Sequence, residues 1–325
     1  MTTTPLRLGL LGCADFARAK MLPGLAHVPE VRLTACAARE RAKAEVYAAQ
    51  FGGEAVEGYA ALLGREDVDA VYVPLPNSLH HPWALQALKA GKHVLLEKPL
   101  TPTGAEAAEL VAAARTHGVQ LMENFLFLQH TQTRAVLDLI AAGGIGTPRM
   151  LHSSFGVPPR EREDIRLDPA LAGGALLDLG TYPVRAAGLL LGHPLRPLGA
   201  TLHIDPATGV DTRGGALLTG PQGELAQLSF AFGVSYRSYY ELWGTEGRIV
   251  VERAFTAPPD HRPRVTVERG GRSEELGLAA YDQYAATWRE FARRIRTGEQ
   301  PAAYESELLA HAALLEEIGR VAERH

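Results

Sequence analysis

The sequence predicts an α/β protein: an N-terminal Rossmann-type parallel sheet, then a C-terminal α+β domain on a mostly antiparallel open sheet. Three observations carry this expectation. Up to about residue 124, short apolar runs alternate with amphipathic helical stretches. The first run breaks at a tight turn, Gly12-Cys13-Ala14-Asp15-Phe16-Ala17, that opens a helical stretch. Beyond residue 124, strand-like runs follow one another across short glycine-containing turns such as GPQGE and GTEGR. Parallel neighbours need a long, usually helical crossover, whereas neighbours joined by a short turn run antiparallel.

Residues 6–11 form the first expected strand, ended by Gly12, and 15–27 have helical periodicity. Residues 31–37 are rich in strand formers, and 40–51 are again helical. Residues 69–73 are expected as the third strand, followed by the PLPN turn and a helix over 79–90. A strand at 93–96, a helix at 104–116 and a strand at 119–122 complete the first domain. These strands are continuous apolar runs, as strands buried on both faces are. A helix at 132–142 is closed by Gly143-Gly144. Strands are then expected at 149–155, 200–204, 215–219, 225–231, 238–243, 248–251 and 264–268, with a helix near 175–191 among them. Helices over 282–297 and 305–323 follow.

At roughly 100–200 residues per domain, a chain of 325 residues predicts two. The partition expected is a dinucleotide-binding domain over 1–124 and a substrate-binding and oligomerisation domain over 125–325. A net charge of −4 gives no electrostatic reason to expect nucleic acid or an anionic membrane as partner. Two cysteines, Cys13 and Cys36, cannot build a disulfide framework, which fits a reducing, cytoplasmic setting. No apolar run reaches the ~20 residues of a membrane span, and the opening MTTTPLRLGLLGC lacks the layout of a signal peptide.

The turn after the first strand matches the dinucleotide fingerprint G-x-G-x-x-A except at Ala14, where a second glycine is usual. In such turns the backbone closes on a pyrophosphate that rests on the helix N-terminus. Ala14 adds one methyl at that approach, so the pyrophosphate is expected to sit slightly displaced. As a bare pattern the turn also joins strand to helix in proteins that bind nothing. Its place between the first strand and first helix favours a dinucleotide. Gly12, Cys13, Ala14, Asp15 and Phe16 are therefore candidate cofactor residues, and Arg18 is a further cation nearby. The second strand ends Ala37-Ala38-Arg39. A site for NAD places a carboxylate there, and a site for NADP replaces it with a cation. With Ala38 at the carboxylate position and Arg39 beside it, NADP(H) is the expected cofactor. Leu75, Asn77 and His80, after the 69–73 strand, are expected to line the same cleft.

Lys98 stands in Leu96-Glu97-Lys98-Pro99 at the end of a later strand. Ligands of open α/β sheets bind beyond the carboxyl ends of the strands. Lys98 is thus a candidate for both catalysis and cofactor contact. A lone lysine at a strand end is more often a surface residue; this one has company. The GLLGCADFA turn, PLPNSLHH, Glu97-Lys98-Pro99, Glu123-Asn124 and Asp178-Leu179-Gly180-Thr181-Tyr182-Pro183 together resemble the glucose–fructose oxidoreductase, inositol dehydrogenase and rhizopine-catabolism family (Gfo/Idh/MocA). The resemblance covers nearly the whole chain in order. It implies that Lys98 is catalytic and that its bond to Pro99 is cis. Many members carry histidine where this chain has Tyr182.

The Gly-Cys-Ala turn, the segment Glu123-Asn124-Phe125-Leu126-Phe127 and the stretch 158–185 resemble the nucleotide-sugar C-3 ketoreductases of deoxysugar biosynthesis in that family. This implies reduction of the 3-keto group of a dTDP-linked deoxysugar by NADPH, through Lys98 and Tyr182. Hydride addition builds negative charge on the ketone oxygen, which needs a proton donor. Lysine and tyrosine both carry their proton near neutral pH. Glu97 is expected to orient Lys98 or touch the nicotinamide side rather than act as a base; Glu123 and Asn124, at another strand end, are expected at the nicotinamide ribose, with Glu123 also a candidate for the substrate. Asp178 lies one helical turn before Tyr182 and is a candidate for sugar hydroxyls. Arg160 and Arg166 are candidates for the diphosphate, although Glu161, Glu163 and Asp164 interleave with them. No metal is expected, since no His/Cys cluster has ligand spacing. A homodimer or homotetramer is implied by the resemblance. Two other functions fit these residues: a dehydrogenase of a free sugar, polyol or cyclic diol, and a non-catalytic dinucleotide sensor.

Overall fold

The computed structural model describes residues 4–299 and 301–325; the first three residues of the opening stretch lie outside it. The chain divides into two compact units. The first comprises 1–101, 105–124 and 284–308, and the second 102–104, 125–283 and 309–325. Residues 284–308 therefore count with the N-terminal unit, far beyond a boundary drawn at residue 124.

The first unit is built on six strands: β1 (Leu6–Leu11), β2 (Val31–Ala38), β3 (Glu54–Glu57), β4 (Ala70–Val73), β5 (His93–Leu96) and β6 (Leu121–Glu123). All pair in parallel, in the order β3-β2-β1-β4-β5-β6. Leu8, Leu10, Val71, Tyr72, Val94 and Leu95 are fully buried, as the continuous apolar runs predicted. The strand expected as third is fourth in sequence. The missed one, β3, reads EAVE at the sheet edge and buries only Val56, so no apolar run announced it. Sequence direction across the sheet reverses between β1 and β4, which places the ligand crevice of such folds beyond these two strand ends.

The helical stretch after β1 is not one regular helix. Residues Ala17–Met21 adopt the wide π pitch, with the Leu22 N–H on the Ala17 carbonyl, before Leu22–Leu25 returns to α. Pro23, which has no N–H to donate, stands just beyond the widened turn. Helix Gln283–Thr297 closes the unit with one apolar face: Tyr284, Trp288, Phe291 and Ala292 are buried at helical spacing. The Trp288 indole donates to the Met21 carbonyl at 2.9 Å, and its ring meets Tyr72 edge-on at 5.4 Å. Gly24 permits this approach, since a side chain there would stand 2.7 Å from Tyr284 Cβ.

The second unit carries a nine-stranded sheet of β7 (Pro148–Val157), β8 (Arg196–Ile204), β9 (Asp211–Thr219), β10 (Leu225–Phe232), β11 (Arg237–Gly244), β12 (Gly247–Glu252), β13 (Arg264–Arg269), β14 (Arg272–Glu275) and β15 (Glu323–Arg324). The order is β14-β13-β12-β11-β7-β10-β9-β8-β15. Pairing is antiparallel except for β10 with β7 and β15 with β8. The two edge strands, β14 and β15, are short, charged and exposed, and the sequence pattern gave no sign of them. The last helix runs Ala302–Val321, starting before residue 305 and stopping short of Glu323, which pairs instead with Thr201. Helix Thr181–Leu191 packs with Phe155, Leu228, Phe230, Leu242, Ile249 and Phe255 in the core. Among the described residues no helix is long and apolar enough to cross a membrane.

Candidate functional site

The turn after β1 suits a dinucleotide. Gly12 has φ +115°, and a side chain there would strike Leu75 Cδ2 at 2.5 Å. Its N–H donates to the Ala37 carbonyl at 3.0 Å, which ties the turn to the end of β2. Ala14 is half-buried, Asp15 exposed and Phe16 half-buried, so the backbone after Gly12 borders the crevice. Cys13 is buried, its Sγ 3.7 Å from the Ala37 carbonyl. Burial pushes this thiol up to about 11, with Lys43 pulling the other way, so it is an inert apolar wall. At the end of β2, Ala38 is buried and Arg39 exposed, with no carboxylate at the position that selects NAD. The glycine cradle and exposed cation fit NADP(H). Arg18 is exposed and donates to Gln50 Oε1 at 2.8 Å, so its guanidinium already has a partner in the first unit.

Lys98 follows β5, half-buried, with the Lys98–Pro99 peptide cis as the resemblance implied. Three of the expected site residues nearby are buried within the fold. His80 has no exposed surface; Nδ1 lies 2.8 Å from the Pro99 carbonyl and Nε2 2.8 Å from the Leu75 carbonyl. The ring is thus engaged by the main chain on both sides. Burial pushes the ring down to about 4, against the pull of the Pro99 and Leu75 carbonyls and with the push of Lys98. Glu123, expected at the substrate, is also buried, and its Oε1 accepts from the Leu100 N–H at 2.7 Å. Asn124 is buried as well, with Nδ2 donating to Glu97 Oε1 at 2.6 Å and Oδ1 without a partner. The Tyr72 hydroxyl donates to the same Glu97 oxygen at 2.6 Å. Burial pushes the Glu97 carboxyl above the usual range, while Tyr72, Asn124 and Lys98 pull it back. Sequence reasoning missed Tyr72, whose hydroxyl is hidden in the apolar run AVYV.

In the second unit, Tyr182 opens helix Thr181–Leu191 and is almost wholly buried. Its ring meets Phe125, Phe155 and Phe255 at centroid distances of 5.4, 5.0 and 5.5 Å, which fixes its direction. The preceding turn, Leu176–Gly180, has π pitch, so Asp178 and Tyr182 are not related by a regular α turn. Asp178 Oδ2 accepts from Arg160 at 3.2 Å and Arg166 Nε at 3.1 Å. Asp164 takes the other side of both, at 3.4 Å from Arg160 and 3.2 Å from Arg166. Burial alone would lower the Arg166 guanidinium, but Asp178 and Asp164 raise it above its ordinary value. Arg160 also lies over the Phe232 ring at 5.3 Å. The interleaved acids thus engage the expected diphosphate cations, with Asp164 rather than Glu161 or Glu163 the paired one. Among the described residues no group of three or more His, Cys, Asp or Glu side chains could hold a metal ion.

Residues 6–125 match the oxidoreductase family with NAD-binding Rossmann fold, and residues 133–250 match the GFO/IDH/MocA C-terminal domain. The dTDP-3,4-didehydro-2,6-dideoxy-α-D-glucose 3-reductase of Actinomadura kijaniata is 46% identical over 97% of this chain and 95% of its own. The enzyme of the same name from Saccharopolyspora spinosa is 48% identical over 97% of both. The chain belongs to the Gfo/Idh/MocA oxidoreductase family. A solved structure shares its fold closely: KijD10, a 3-ketoreductase from Actinomadura kijaniata in complex with NADP and TDP-benzene. It is 45% identical, with a TM-score of 0.95 and 99% of each chain covered. Structures also exist of KijD10 with one tyrosine replaced by phenylalanine and with one lysine replaced by alanine. Those two positions are as far apart in that chain as Lys98 and Tyr182 are in this one.

Proposed function

We propose that this oxidoreductase reduces the 3-keto group of dTDP-3,4-didehydro-2,6-dideoxy-α-D-glucose, or a close dTDP-ketosugar, with NADPH. The observation that carries it is identity near half, over almost the full length, with reductases of that name. Lys98 and Tyr182 at the matching spacing support it. Gly12–Phe16 would hold the pyrophosphate, Arg39 the 2′-phosphate, and Glu97 would flank the nicotinamide. NADPH supplies the hydride that goes to C3 of the sugar. The Lys98 ammonium gives its proton to the C3 oxygen as the C–O π bond breaks, leaving a C3 hydroxyl and a neutral amine that water reprotonates. Tyr182 donates a second hydrogen bond to that oxygen. The diphosphate is assigned to Arg160 and Arg166, which must share their acidic partners with it.

Incubation with NADPH and this ketosugar should consume the cofactor and give a C3 carbinol by NMR. Faster turnover of a free aldose or an inositol with NADP+ would overturn the assignment. Lys98→Ala should keep NADPH affinity and lose ~10²–10⁴ in turnover; retained turnover would remove Lys98 from the chemistry. We place the enzyme in the cytoplasm, in keeping with two free buried cysteines. A homodimer or homotetramer is the expected state, measurable by light scattering as a multiple of 35.0 kDa.

A further inference from the structure

We propose that Glu123 and His80 are positioning residues for Lys98: together they clamp the backbone just after it. The proposal rests on Lys98 as the proton donor. Lys98 stands past a strand end, where backbone is otherwise free to wander. The segment is nonetheless held both before and after Lys98 within the first unit. On the strand side, the Glu97 N–H donates to the Val73 carbonyl and the Asn124 N–H to the Leu96 carbonyl. Beyond Lys98 no strand pairing remains, and two buried side chains take over. Glu123, at the end of β6 and 3% exposed, receives the Leu100 N–H. His80, wholly buried, meets the Pro99 carbonyl with one ring nitrogen and the Leu75 carbonyl with the other. Leu75 is the residue whose side chain sits against Gly12. One imidazole therefore stands between the nucleotide turn and the lysine segment, and in its neutral form its single N–H bonds one of these two carbonyls while the ring packs against the other.

This fixes the lysine through its main chain. A misplacement of about 1 Å can cost on the order of 10²-fold in rate, so the clamp should appear in kcat rather than in binding. Glu123→Leu removes the acceptor and strands the buried Leu100 N–H, whereas Glu123→Gln keeps an acceptor oxygen. His80→Leu and His80→Asn form a second pair, the asparagine keeping a donor toward Pro99. The leucine variants should lose on the order of 10²-fold in kcat with sugar KM and NADPH Kd unchanged. Without ligands, amide exchange over residues 97–101 should speed up in them. Glu123→Gln should restore both. A folded Glu123→Leu with wild-type kcat and exchange overturns the proposal, as does a loss confined to KM or an equal loss in Glu123→Gln. Should Glu123→Leu fail to fold, the His80 pair decides by the same two readouts. If Lys98→Ala keeps its turnover, the catalytic reading fails, while the exchange result still decides whether these side chains hold the segment.

Discussion

At Gly12 a φ of +115° coincides with a leucine methyl 2.5 Å from where a side chain would begin. Backbone strain of this kind costs about 1–3 kcal/mol. Gly12→Ala should lower the melting temperature accordingly and weaken NADPH binding, and a neutral outcome in both measurements would mean the turn can re-route. Arg39 carries a different expectation. A charge-assisted hydrogen bond contributes about 1.5–3 kcal/mol. Arg39→Ala should therefore cut kcat/KM with NADPH by about 10- to 100-fold and leave NADH little changed. The backbone conformation at Gly12 and the exposure of Arg39 were legible because both follow from residue type and place in a turn. His80 and Glu123 were not: the sequence marked them as polar groups near the crevice, but their partners are backbone groups of residues 75, 99 and 100. What a buried polar side chain bonds to depends on which main chain the fold brings past it.

Among elements, those with long apolar periodicity were read closely, and those lacking it were missed. β3 and β14 sit at or beside sheet edges, where charged side chains guard an open ladder and erase the pattern. The π turns at Ala17–Met21 and Leu176–Gly180 keep a helical look in sequence, and only the wider bonding distinguishes them. The second of these is anchored from outside. Asp211 on β9 accepts from the Leu176 N–H at 2.6 Å, and its Oδ1 lies 2.2 Å from where a side chain on Gly174 would start. Burial pushes this carboxyl up, and the Leu176 N–H pulls it back. Loss of such a cap costs about 0.5–2 kcal/mol. Asp211→Ala should show that loss in denaturant melts, whereas a variant as stable as wild type would show the helix start to be self-supporting.

Across the whole molecule, loss of solvent around several histidines disfavours their charged form. Burial holds His80 and His130 down to about 4, and lowers His93 and His311 as well. An unfolded histidine takes its proton near 6.5, so between about 6.5 and about 4 the unfolded chain binds more protons than the folded one. Stability should be full above about pH 6.5 and fall steadily as pH drops toward 4. Urea midpoints at pH 7.5 and 5 would show it, and equal midpoints would refute it. The overall two-unit plan was legible from the change of rhythm at residue 124. The assignment of residues 284–308 to the first unit was not, because helical periodicity says that a face is apolar and not what it meets.

That last feature bears on how the protein is made. The ribosome delivers the chain from its N-terminus, yet the indole that donates to Met21 comes from position 288. Until translation passes that point, the nascent nucleotide module lacks the indole that covers Tyr72 and Met21, and must wait, partly assembled, for residue 288 to be made.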